Sequence, residues 1–161
     1  MFSFHRACWL IFAACAALLG FGLYLQHVEG LEPCPLCIAQ RIFFILTGAM
    51  ALLAALHGPK RWGRPVYGSL MAVSALLGAA VAGRHAWLQR QPPNPFAECG
   101  PGLNYLLENF PLKESLPMLF KGSGDCGKIA WRFLALSIPD WALLWFLLLG
   151  ATALWAGWGR R

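Results

Sequence analysis

Four long apolar runs, separated by charged segments, dominate the chain. They extend from Ala7 to Gln26, from Ile42 to Leu56, from Pro65 to Gly83 and from Trp141 to Gly159, and none of them contains a charged residue. Each is close to the roughly 20 residues that a helix needs to cross the hydrocarbon core of a bilayer. The pattern therefore predicts four membrane-spanning helices, at about residues 8–26, 40–57, 65–84 and 140–158.

The composition supports a membrane location for the whole chain. Of the 161 residues, 58% are hydrophobic and only 12% are charged, which is far more apolar than an average soluble domain. We therefore expect a single all-α membrane domain, 1–161, folded as a four-transmembrane-helix bundle. A net charge of +6 would suit nucleic-acid binding in a soluble protein, but here the positive charges mostly mark one membrane face. Nucleic acid is therefore excluded as a partner.

The distribution of basic residues predicts the orientation of the helices. Short loops rich in Lys and Arg stay in the cytoplasm, whereas long loops translocate largely regardless of charge. One side of the predicted bundle carries Arg6, Lys60, Arg61, Arg64, Arg160 and Arg161. The other side carries two loops, at about residues 27–39 and 85–139, and all seven acidic residues. Both termini are therefore expected in the cytoplasm, with the two loops in a compartment where disulfides persist.

A CxxC motif, Cys34-Pro35-Leu36-Cys37, stands where the second helix is expected to begin. Pro35 suits the first helical position, because its missing N–H is harmless there and its φ is already helical. The unpaired N–H groups and the dipole at this helix end stabilise a thiolate, and Arg41 adds a full positive charge on the same helical face as Cys37. The motif therefore favours a redox-active pair in which Cys37 is the more activated sulfur, able to reduce an acceptor such as a quinone.

Two other interpretations of the motif remain open, an inert disulfide and half of a zinc site. An all-cysteine zinc site normally uses a second closely spaced pair, whereas Cys99 and Cys126 are 27 positions apart. No metal site is therefore predicted. The four cysteines in the two loops allow three pairings, and the favoured resting state joins Cys34 to Cys37 and Cys99 to Cys126.

The long second loop is predicted to carry short interfacial helices. Leu103, Leu106, Leu107 and Phe110 recur at helical spacing, and a second interfacial stretch precedes Pro139. The segment 91–99 contains three prolines, which keep the chain extended. Such a segment suits either docking in another protein's groove or a stiff spacer.

These features together resemble a known family, the bacterial disulfide-bond formation protein B (DsbB) family of inner-membrane thiol:quinone oxidoreductases. The resemblance covers essentially the whole chain. Its most specific parts are the CxxC with Arg41 four residues on, Pro95-Phe96-Ala97-Glu98-Cys99 and Ser123-Gly124-Asp125-Cys126. It implies a multi-pass protein of the bacterial inner membrane whose redox cysteines face the periplasm.

The resemblance also implies a route for electrons. Cys99 would receive the thiolate of a periplasmic thioredoxin-fold partner, DsbA, with Cys126 as its pairing cysteine. Electrons would pass to Cys34, which exchanges with the loop pair, and then from Cys37 to ubiquinone or menaquinone dissolved in the membrane lipid. Arg41 would stabilise negative charge on the acceptor.

The family's quinone site further implicates His85, at the outer end of the third span, and Ile138 and Ala142 as ring-lining side chains. Ala142 is smaller than the apolar side chains that the family has at this position. Without the resemblance, His85 is interpreted as an interfacial histidine. Two other functions are alternatives to this one. One is the reverse reaction, as in membrane reductases similar to the vitamin K epoxide reductase family, in which the CxxC follows the loop cysteines. The other is a scaffold with inert disulfides or bound zinc.

Overall fold

Four long helices account for most of the chain in the structure, a computed structural model that describes residues 4–30, 33–60, 62–91 and 132–159. They are α1 (Phe4–His27), α2 (Pro35–His57), α3 (Gly63–Gln89) and α4 (Ile138–Trp158). Each is long and apolar enough to cross a membrane, which confirms the predicted four-helix membrane fold. The loop cysteines Cys99 and Cys126 and the interfacial helix predicted near residues 103–110 lie outside the described residues.

The ends of α2 follow from local sequence. Cys34 is the N-cap residue in an extended conformation and Pro35 occupies the first helical position, as predicted from the motif. At the other end Gly58 adopts a left-handed conformation with φ of 56° and donates its backbone N–H to Ala54 O at 3.1 Å. The helix therefore begins at the CxxC motif and stops at the basic turn before α3.

A short hairpin leads into α4. Strands β1 (Arg132–Phe133) and β2 (Leu136–Ser137) pair antiparallel through a turn in which Leu134 and Ala135 have φ values of 52° and 65°. Asp140 then accepts hydrogen bonds from the Ser137 backbone N–H at 3.1 Å and from the Ser137 hydroxyl at 2.7 Å, which caps α4. A salt bridge of 2.7 Å from Arg90 to Asp140 ties this capped end to the end of α3.

The helices pack through small residues on their facing sides. The most extensive contact joins α3 to α4, and α2 lies against both α1 and α3. A Cβ atom added at Gly68 of α3 would lie 2.9 Å from Gly157 Cα in α4, so the two backbones approach closely where only glycine fits. Close approach at small residues is the main source of helix association in lipid, because lipid tails remove the usual hydrophobic gain.

Two aromatic rings fill the centre of the bundle. Phe44 of α2 and Phe146 of α4 stack with ring centroids 3.9 Å apart and an interplanar angle of 12°. Phe146 is 1% exposed and lies directly against Gly78 of α3. Large apolar side chains such as Leu53 and Leu77 point outward instead, as expected for a surface covered by lipid.

Candidate redox site

The CxxC motif places two sulfurs side by side at the start of α2. Cys34 Sγ lies 3.2 Å from Cys37 Sγ, and the backbone N–H of Cys37 points at Cys34 Sγ at 3.4 Å. No disulfide joins them, so the pair has the geometry of a dithiol. The predicted Cys34–Cys37 disulfide is the oxidised counterpart of this arrangement and stays a prediction.

His85 of α3 lies against both sulfurs. Its Nε2 is 3.7 Å from Cys34 Sγ and its Nδ1 is 3.9 Å from Cys37 Sγ. The side chain is 2% exposed, so His85 belongs to the interior of the bundle. Because α3 continues past residue 84 to Gln89, His85 is held on a rigid helix.

Gln40 fixes the histidine from the other side, and sequence reasoning missed it. Its Nε2 lies 3.1 Å from His85 Nδ1, and both side chains are buried. The available signal was an amide three residues after Cys37 in an otherwise apolar helix, which puts it on the same face as the cysteine. That signal did not reveal the partner 45 residues away.

Arg41 turns its charge towards α1. It donates to Gln26 Oε1 at 2.6 Å and to the backbone carbonyl of Gly22 at 2.9 Å. Both acceptors are neutral, and no carboxylate of the described residues forms a salt bridge with Arg41. The guanidinium is therefore held in place by neutral groups, with no compensating carboxylate among the described residues. Gln26, its anchor, is a second residue that the sequence did not single out.

A cavity of about 530 Å³ opens beside the cysteines. Most of its wall is apolar and comes from all four helices, from the segment before α2 and from Phe133 of the hairpin. The cavity brings together all the predicted site residues of the described chain: Cys34, Cys37, Arg41, His85 and Ile138, with Ala142 beside them. Gln89 also lines it, and its buried Oε1 has no hydrogen-bond partner among the described residues.

The remaining cysteines play no part in this cavity as far as the structure describes them. Cys8 and Cys15 are buried in α1, and Cys15 packs against Gly48. Cys99 and Cys126 lie outside the described residues, so their pairing stays a prediction. Cys34, Cys37 and His85 place three possible metal-ligand atoms within 4.8 Å of one another, a grouping that occurs once among the described residues.

Known proteins resemble this chain over nearly its full length. The family model described as "Disulfide bond formation protein DsbB" matches residues 5–156. A protein of Azoarcus sp. (strain BH72) named "Disulfide bond formation protein B" is 56% identical over 94% of this chain and 90% of its own length. A protein of the same name from Methylococcus capsulatus is 49% identical over 97% of this chain and 96% of its own. On this evidence, with the paired thiols at the mouth of an apolar cavity, the chain belongs to the DsbB family of disulfide bond formation proteins.

Proposed function

We propose that this protein is a thiol:quinone oxidoreductase that reoxidises a DsbA-like periplasmic dithiol oxidase. The electrons would pass through Cys99 and Cys126 to Cys34 and Cys37, and then to ubiquinone or menaquinone in the membrane. Membership in the DsbB family gives the protein a part in disulfide bond formation. The identity of the donor and of the acceptor is the part that we propose.

The observation that carries the proposal is the position of the dithiol at a cavity enclosed by four apolar helices. At about 530 Å³ the cavity lies in the range of small-molecule sites, which are mostly apolar with a few fixed polar groups. A ring-shaped ligand in the cavity would meet aliphatic and aromatic side chains, among them Phe44, Ile138 and Trp145. A lipid-soluble acceptor can therefore reach sulfur without crossing water.

Charge in the cavity favours an acceptor that becomes negative as it is reduced. Arg41 lines the cavity and is held by the neutral acceptors Gln26 and Gly22, and among the described residues no carboxylate neutralises its charge. A fixed positive charge in an apolar wall acts strongly, since little water screens it. Arg41 is thus positioned to stabilise negative charge arising next to Cys37.

Proton movement has a carrier at the same place. Oxidation of the dithiol to a disulfide releases two electrons and two protons, and a quinone takes up both pairs to become a quinol. His85 lies 3.7 Å from Cys34 Sγ and 3.9 Å from Cys37 Sγ, within reach of either thiol proton after a small shift. The hydrogen bond with Gln40 holds the ring in that position.

The orientation of the protein in the membrane is also part of the proposal. Lys60 and Arg64 lie in and beside the short turn between α2 and α3, at the end of the bundle opposite the CxxC motif. Basic short loops stay in the cytoplasm, which supports a topology with both termini there and with Cys34 and Cys37 at the periplasmic face of the inner membrane. The Pro-rich segment that ends at Cys99 would then meet the periplasmic partner.

Anaerobic turnover of the purified protein tests the proposal. A reduced thioredoxin-fold donor and either ubiquinone or menaquinone are supplied, and quinone absorbance is followed. We expect catalysed quinol formation that Cys37→Ala abolishes and Cys8→Ala leaves unchanged, because Cys8 is buried in α1 away from the cavity. Quinol formation that survives Cys37→Ala, or that never exceeds the protein-free rate with either quinone, would contradict the proposal.

A further inference from the structure

Three soft or borderline ligand atoms converge beside the cavity. Cys34 Sγ, Cys37 Sγ and a ring nitrogen of His85 lie within 4.8 Å of one another. Neither the thiol exchange nor the acceptance of electrons by quinone requires all three on one centre. Two thiolates and one imidazole are, however, a donor set that zinc takes in proteins, with a fourth position left for water or another ligand.

The ligand atoms lie close to the separations that a tetrahedral ion requires. Zinc bonds of about 2.3 Å to sulfur and 2.0–2.1 Å to nitrogen imply sulfur–sulfur separations of about 3.8 Å and sulfur–nitrogen separations of about 3.5 Å. His85 Nε2 lies 3.7 Å from Cys34 Sγ, and the two sulfurs and one ring nitrogen all lie within 4.8 Å of one another. The sulfurs, 3.2 Å apart, need to separate by about 0.6 Å. The two sulfurs lie at the first turn of α2 and the imidazole lies on α3, so two regular helices hold the three ligand atoms together.

The surroundings of His85 match those of a metal-bound histidine. Such a histidine normally has its second ring nitrogen fixed by a hydrogen bond to a neighbouring group. Gln40 provides one at 3.1 Å from Nδ1, and its amide presents either a donor or an acceptor after a half-turn. Nε2, 3.7 Å from Cys34 Sγ, is the ring nitrogen that would bind the ion. The fourth coordination position would open to the cavity that Cys34, Cys37 and His85 line.

We propose that the reduced site binds one thiophilic divalent cation, Zn²⁺ or Cd²⁺, through Cys34 Sγ, Cys37 Sγ and a ring nitrogen of His85. The two thiols lose their protons to water as the ion enters, and no electron is transferred. Two thiolates neutralise the dication, so the nearby positive charge of Arg41 meets a neutral complex. The disulfide form lacks both thiolates and does not bind. Occupancy therefore records the redox state of the pair and withholds the sulfurs from oxidation.

Binding is measured on the full-length protein carrying Cys99→Ser and Cys126→Ser, which removes the other loop thiols. The purified protein is prepared as dithiol and as disulfide and titrated with Cd²⁺, whose thiolate complexes absorb in the ultraviolet. We expect one Cd²⁺ and two released protons per dithiol protein and no such absorption for the disulfide form. Cys8 and Cys15 are present in both preparations, so they cancel in the comparison.

The histidine is tested by substitution and by spectroscopy. We expect His85→Ala to weaken binding at least about tenfold and Gln40→Leu to weaken it roughly tenfold, by analogy with outer-shell losses at metal sites. His27→Ala is the matched control, because His27 is exposed and its ring lies 3.0 Å from Leu23 O of its own helix. X-ray absorption at the zinc edge tests the same site in reduced protein that keeps Cys34, Cys37 and His85. The expected first coordination shell of the zinc contains two sulfurs and at least one imidazole nitrogen.

Several results would overturn the inference. These are equal metal binding by the dithiol and disulfide forms, equal affinity in the His85→Ala and His27→Ala proteins, and a zinc shell without nitrogen. The binding measurement contains neither donor nor quinone, so its outcome is independent of the proposed function. We also expect Zn²⁺ added to the reduced protein to inhibit turnover, and a chelator to restore it. This one expectation rests on the proposed function.

Discussion

Replacing Gly78 by alanine should strain the aromatic stack at the centre of the bundle. A Cβ atom at Gly78 would lie 2.5 Å from Phe146 Cζ and 2.8 Å from Phe146 Cδ1, well inside the ordinary contact distance. The ring has little room to move, because it also stacks on Phe44 with centroids 3.9 Å apart. Phe44 also lines the cavity beside the cysteines, so displacement of the stack moves a wall of the site.

The expected loss of stability is estimated by comparing two glycine-to-alanine variants of α3. Gly83 lies on the same helix, and a Cβ atom there meets nothing within 4 Å. Gly83→Ala should therefore show only the helix-propensity gain, up to about 1 kcal/mol. Gly78→Ala carries the same gain together with an overpacking cost of about 1–3 kcal/mol. We expect Gly78→Ala to be about 1–3 kcal/mol less stable than Gly83→Ala.

Unfolding of the two variants in the same detergent, followed by helical circular dichroism against denaturant and temperature, measures this difference. The Phe146→Leu background provides a second reading, because removal of the ring should reduce the difference between the two alanine variants to below about 1 kcal/mol. Equal stability of Gly78→Ala and Gly83→Ala in the parent protein would refute the packing of Phe146 against α3.

Two further predictions concern charge. A positive charge roughly 8 Å from the negative charge that develops on the quinone stabilises it by about 2 kcal/mol at an effective dielectric constant near 20. Arg41→Met should therefore slow quinone reduction about thirtyfold. Arg84→Met is the control, because Arg84 is exposed and lies over the Trp87 ring, and it should leave the rate of quinone reduction measured by stopped flow unchanged. Equal rates in the two variants would contradict the role of Arg41. Asp140→Asn weakens the cap of α4 and the salt bridge with Arg90, so the unfolding free energy should fall by about 1 kcal/mol. An unchanged thermal unfolding midpoint would contradict this role of Asp140.

The four helices and the start of α2 could be predicted because their signals are local. Apolar runs of membrane length need no partner to be recognised, and Pro35 after Cys34 marks a helix start by its own backbone geometry. The common face of Cys37 and Arg41 follows from helical spacing, and both residues line the cavity. Sequence reasoning therefore predicted the thiols and the charge that α2 presents to the site, but not Gln40 or Phe44 of the same helix.

The partners across helices could not be predicted in the same way. Gln26 holds Arg41 and Gln40 holds His85 through contacts between different helices, which depend on how the helices pack. His85 was singled out only through the family resemblance, since nothing in its local sequence indicated burial against two sulfurs. The hairpin before α4 gave no signal either, because Leu134 and Ala135 occupy positive-φ turn positions that usually take Asn or Gly.

The central claim is that the Cys34–Cys37 dithiol itself reduces a quinone. The most direct measurement is a single anaerobic turnover of the full-length Cys99→Ser, Cys126→Ser protein, pre-reduced, freed of reductant and of metal, and mixed with ubiquinone or menaquinone. We predict one quinol formed per protein, with loss of two titratable thiols and no reaction in the Cys37→Ala form. Thiols that persist in the presence of either quinone, or quinol formed equally by the Cys37→Ala protein, would contradict the account.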